Sequence, residues 1–123
     1  MLVQQDAPLM VRSALRQAFP DHRFVAELPD SWTVSDGPVV TVISAGTPRS
    51  SVPWSREQVL VTVYAEDEPT ARRLVSEVEA YLIDLTRPHG LLITPASGPD
   101  IVRDRDLGCF LGATTVQVAT PRR

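Results

Sequence analysis

Lysine is missing altogether, and all 12 basic side chains of the 123-residue chain are arginine. Against 15 Asp and Glu they leave a formal net charge of -3, so the chain as a whole is not drawn to nucleic acid or anionic lipid. The arginine bias reads first as GC-rich coding; the functional alternative is that guanidinium forks suit planar, bidentate contacts at interfaces. Cysteine is nearly as scarce: the single Cys109 excludes an internal disulfide. No stretch nears the roughly 20 apolar residues needed to cross a bilayer. The opening MLVQQDAPLM has neither a basic start nor a long apolar run. The expectation is a cytoplasmic chain with neither leader nor membrane anchor.

Motifs that carry chemistry are missing too. The sequence has no Gly-x-Ser-x-Gly elbow, no glycine-rich phosphate loop and no dinucleotide fingerprint. His22 and His89 fall in proline-containing turns, at no ligand spacing from each other or from Cys109. Cys109 precedes Phe110 at the start of a strand, where a free cysteine behaves as a small buried hydrophobe. No catalytic, cofactor-binding or metal-ligating residue is therefore expected, and no cofactor. The run Asp100, Arg103, Asp104, Arg105, Asp106 reads as a solvated turn, because its arginines compete with any cation for the carboxylates. Its alternative use is pairing with a neighbouring subunit. Trp32 and Trp54 both fall in loops: Trp32 reads as folded back on its own domain, and Trp54 equally as an anchor or as an interface hot spot.

What is present describes one folded domain over residues 1–123. A composition 43% hydrophobic and 22% charged is that of a globular chain, and the length suits one core. Asp6 caps a helix with Pro8 in its first turn, and Val11, Ala14, Leu15, Ala18 and Phe19 form its apolar stripe. Strands are predicted at 24–28 and 39–43, followed by a turn-rich loop at 45–55. Val59 to Ala65 alternates as a strand. Asp67 caps a second helix, with Pro69 in its first turn and Ala71, Leu74, Val75, Val78, Leu82 and Leu85 as its stripe. On its surface Arg73 and Glu77 stand at helical i, i+4 spacing. Strands follow at 91–94 and 101–102, separated by a Ser97-Gly98-Pro99 turn. After the charged run a last strand covers 110–119, and 121–123 reads as a frayed tail.

The predicted class is α+β, with the order α-β-β-β-α-β-β-β and a largely antiparallel sheet. Two helices on one sheet face leave the other face short of cover, which a partner subunit can supply.

The chain also resembles the tail terminator (tail completion) proteins of long-tailed bacteriophages of actinobacteria. The resemblance is carried by PLMVRSALRQAF, VAELPD, VVTVISAG and WSREQVLVTVYAEDEPTARRLVSEVEAYL. It is strongest where Trp54 and Arg56 precede the valine strand Val59, Val61, Val63 that ends in Tyr64-Ala65, and it continues in the Gly98-Pro99 turn and the LGATTVQV ending. Leu60 and Thr62 depart from it, standing where acidic residues are common in that family, and aromatics before the last strand are thin. The resemblance implies a non-enzymatic virion subunit that forms a ring, a hexamer, on the finished tail tube. There it stops tube polymerisation and offers a head-joining surface. Its partners would be copies of itself, the tail-tube protein and a head-completion or neck protein, with no membrane and no specific nucleic acid. Contacts are expected from the loop 46–55, through Arg49 and Trp54, from Arg56 just after it, and from 100–106, through Arg103, Asp104, Arg105 and Asp106. The alternatives are another neck or head-completion connector, or a small ligand-binding α+β module or compact enzyme, which would need a pocket.

Overall fold

The computed structural model describes residues 1–50 and 53–123, with the backbone alone at 48–50. The elements are α1 (Ala7–Ala18), β1 (Arg23–Val25), a 3-10 turn (Val34–Asp36), β2 (Val39–Ser50), β3 (Trp54–Ala65), α2 (Glu68–Leu82), β4 (Leu92–Asp104) and β5 (Cys109–Pro121). Among the described residues the strands form one sheet in the order β1-β2-β3-β5-β4. Only the β1–β2 pair is parallel. The α+β class is therefore as predicted, with five strands in place of six.

The helices begin where local signals dictate. The Asp6 carboxylate accepts from the Leu9 N–H at 3.0 Å and that of Asp67 from the Thr70 N–H at 2.8 Å, so each fills a backbone donor left open in a first turn. Val11 and Leu15 of α1, with Leu74, Val75, Val78 and Leu82 of α2, are buried against one sheet face. That face presents Val40 and Val42 of β2, Val59, Val61 and Val63 of β3, and Val116 and Val118 of β5. The stripe stops one turn earlier than expected: Leu85 lies beyond the end of α2 and is 95% exposed. On α2 the ion pair is Glu68–Arg72, at 2.8 Å, rather than Arg73–Glu77.

Pairing across strands corrects several expectations. The first strand shrinks to three residues, Arg23–Val25. The loop expected at 45–55 is instead largely the continuation of β2 and β3; residues 51 and 52 lie outside the described ones. The expected turn at 97–99 lies inside β4, which stays paired to β5 through register shifts between Pro95 and Asp100. Gly98 makes this possible. Its φ of +87° suits glycine, and a Cβ there would come within 2.7 Å of the Ala113 carbonyl oxygen. The end of the chain is not frayed: Val3 and Arg123 exchange backbone hydrogen bonds of 2.7 and 2.9 Å, and Gln5 Nε2 donates to the Pro121 carbonyl at 2.6 Å.

The helix-free face is covered over part of its area. The 26–38 segment lays Trp32, 5% exposed, over a second cluster with Val39, Cys109, Tyr64 and Leu111. The Trp32 indole N–H donates to the Gly37 carbonyl at 2.9 Å, so Trp32 anchors its own domain as expected. Beyond that cover, Ile43 remains 42% and Val102 58% exposed.

Candidate functional site

Period-two alternation along β3 buries Ser55, Glu57 and Val59 on the helix side and turns Trp54, Arg56 and Gln58 to the other face. Trp54 is thus a half-buried strand residue instead of a loop residue. Register then decides the neighbours. Arg56 stands across from Ala119 of β5, which stands across from Leu92 of β4, while Trp54 is opposite Pro121. Trp54, Arg56, Leu92 and Ala119 line a cleft of about 230 Å³. Arg49 and Arg56 are register partners on β2 and β3; the Arg49 side chain lies outside the described ones.

The connection between α2 and β4 extends this site with residues that the sequence did not single out. An adjoining cleft of about 260 Å³ is lined by Arg56, Arg87, Asp84, Thr94 and Gln117, with Leu92 and other apolar residues as its floor. The Asp84 carboxylate accepts from the Thr86 N–H at 2.8 Å and hydroxyl at 2.7 Å, which holds its pKa below the usual carboxylate value. Arg87 occupies the left-handed region at φ +50°, uncommon for a non-glycine residue. Neither Arg56 nor Arg87 has a carboxylate at ion-pair distance among the described residues. Just beyond, His89 Nδ1 accepts from the Leu91 N–H at 3.0 Å, which leaves Nε2 as the donor to the Leu82 carbonyl at 2.8 Å. Both ring nitrogens are thereby committed to the backbone.

The second predicted group lies elsewhere. Asp100, Arg103 and Asp104 belong to β4, whereas Arg105 and Asp106 form the turn into β5. One Asp104 oxygen accepts from the N–H groups of Asp106 and Leu107, each at 3.0 Å, and this closes the turn. The Arg103 guanidinium lies 5.9 Å from the Phe110 ring centroid. Because Phe110 pairs with Ala65 at the far end of β3 from Trp54, the length of that 12-residue strand, about 36 Å, separates the two groups. They are not one site within a protomer.

Among the described residues no group of three His, Cys, Asp or Glu is placed to hold a metal ion. Cys109 is buried, and that burial, reinforced by Asp104, pushes its thiol pKa up, away from a reactive thiolate. No helix is long and apolar enough to cross a membrane. No protein-family model matches the chain, and no curated protein matches it in sequence.

Proposed function

We propose that this protein is a structural, non-enzymatic subunit of a phage virion. It closes with copies of itself into a ring, a hexamer, on the end of a tail tube, where it halts tube polymerisation and presents the surface that joins the head. The observation that carries the assembly half of this reading is the outer edge of β2. β1 pairs only with Val39, Val40 and Thr41, so from Val42 to Thr47 the edge has no strand beside it among the described residues. Those six residues carry no charge or proline, and Ile43 among them is exposed. An open, uncharged edge is a template for another chain. β2 has register shifts of its own on either side of Gly46, but the opposite edge, β4, adds Pro95 and Pro99 to its shifts, and a proline has no N–H to offer a neighbouring strand. The tail-capping half rests on the sequence resemblance around Trp54 to Ala65.

Multi-angle light scattering of the protein alone and with polymerising tail-tube protein tests this function. A discrete ring that caps tubes and limits their length is the expected result. A strict monomer that leaves tube length unchanged overturns it. A ring that binds head-completion protein and ignores tubes points to another neck connector instead.

A further inference from the structure

The fold sorts charge by end. At the Ala65–Cys109 end stand Asp36, Glu66, Asp67, Glu68, Asp104 and Asp106, against the arginines Arg23, Arg72, Arg73, Arg103 and Arg105. At the other end, Arg56 and Arg87 share a cleft whose one carboxylate, Asp84, is occupied by Thr86. The sequence scatters these residues over 23–106; only the topology collects them, because β3, β4 and β5 span the same length and their connections fall at alternate ends.

We infer that the Arg56–Arg87 cleft is the receiving half of a head-to-tail contact, binding carboxylates from the acidic end of a second copy of this chain. The occupant follows from charge complementarity within the sequence: the same protomer carries an arginine cleft at one end and excess carboxylate at the other. Two different patches meeting in successive copies make a heterologous contact, the kind that closes a ring. Glu66 and Asp106 are the carboxylates best placed to enter, both being exposed. Asp67 and Asp104 are already engaged by backbone N–H groups, and Glu68 by Arg72. In the cleft, the planar guanidinium forks pair with carboxylate, Trp54 and Leu92 wall the neighbouring pocket, and Thr94 and Gln117 offer further donors. The contact rests on the ring reading and specifies how its subunits meet.

Sedimentation velocity of the full chain tests it, with circular dichroism confirming that each variant is folded. The wild type is expected to associate at low salt and to weaken at least about tenfold near 1 M salt, where screening is short-ranged. Arg56→Glu with Arg87→Glu is expected to abolish association, as is Glu66→Arg with Asp106→Arg. The four substitutions together reverse both ends and are expected to restore it. Rings that persist in either folded double variant, or a folded fourfold variant that stays monomeric, overturn the contact and leave the ring reading standing. A wild type that is monomeric at every concentration, with and without tail-tube protein, overturns both.

Discussion

Gly112 of β5 lies directly beneath Val75 of α2: a Cβ on Gly112 would stand 2.9 Å from Val75 Cγ1 and 2.9 Å from the Ala71 carbonyl oxygen. The missing side chain sets how closely the helix sits on the sheet, since a packed core has no free volume to yield. Gly112→Ala is expected to lower stability by about 1–3 kcal/mol through overpacking, read as a lower urea midpoint at unchanged slope. Val75→Ala in that background removes the Cγ1 clash and keeps the Cβ, 3.0 Å away. The Ala71 carbonyl remains, so the rescue should be partial.

Trp32 and Cys109 are buried in one cluster with Val39. Trp32→Ala is expected to cost about 3–5 kcal/mol as a cavity and to make the thiol reactive toward a disulfide reagent that leaves the native protein unmodified. Trp32→Phe keeps most of the cover and loses the bond to Gly37, for about 1 kcal/mol. If Cys109 reacts equally fast in the wild type, the tryptophan is not its lid.

These two sites show what local sequence can and cannot reveal. Both helices were legible because their caps and stripes are local: Asp6 and Asp67 act within three residues, and Ala71, Leu74, Val75, Val78 and Leu82 recur at helical spacing. The strands were legible only where they alternate. Ser97, Gly98 and Pro99 spell a turn by composition, yet β5 holds them in the sheet from across the hairpin, and pairing at a distance leaves no local trace. Of the predicted interface, Trp54 and Arg56 do line one cleft. Arg87 and Asp84 escaped notice because only cross-strand register and the path of the 83–91 connection bring them there.

Acid stability offers a check on the caps. The Asp67 pKa is lowered chiefly by its hydrogen bonds from Thr70, and that of Asp84 by those from Thr86. A carboxylate whose folded pKa is depressed adds stability above its unfolded value, near 3.9, and loses it as pH falls through the folded value. Urea midpoints should therefore drop between about pH 5 and pH 2. Asp67→Asn keeps a capping side chain but cannot titrate, so its stability should fall less steeply over that range. An identical pH profile would show that the Thr70 contacts do not favour the charged form.

At the alkaline end the sign reverses. Burial raises the Cys109 pKa, so its contribution is fully present below the unfolded thiol pKa, near 8.5, and is lost as pH rises through the folded one. Cys109→Ala should flatten the decline in stability above about pH 8.5. A slope that survives the substitution assigns the alkaline loss to other groups.

His89 closes the C-terminal end of α2, where helical carbonyls lack intrahelical partners. Nδ1 already accepts the Leu91 N–H, so the proton must sit on Nε2, where it donates to the Leu82 carbonyl. The Tyr81 ring, edge-on at 5.3 Å between centroids, restrains the imidazole in that pose. One side chain thus ties the helix end to the start of β4 and holds the connection that carries Arg87 toward the cleft. His89→Ala is expected to cost about 1–3 kcal/mol, because it leaves two backbone groups without their partner, and to speed hydrogen exchange at the Leu91 amide. Nitrogen-15 spectra of the native imidazole should show the Nε2–H tautomer. An Nδ1–H tautomer, or unchanged exchange at Leu91 in the variant, would mean that the connection is held by something other than His89.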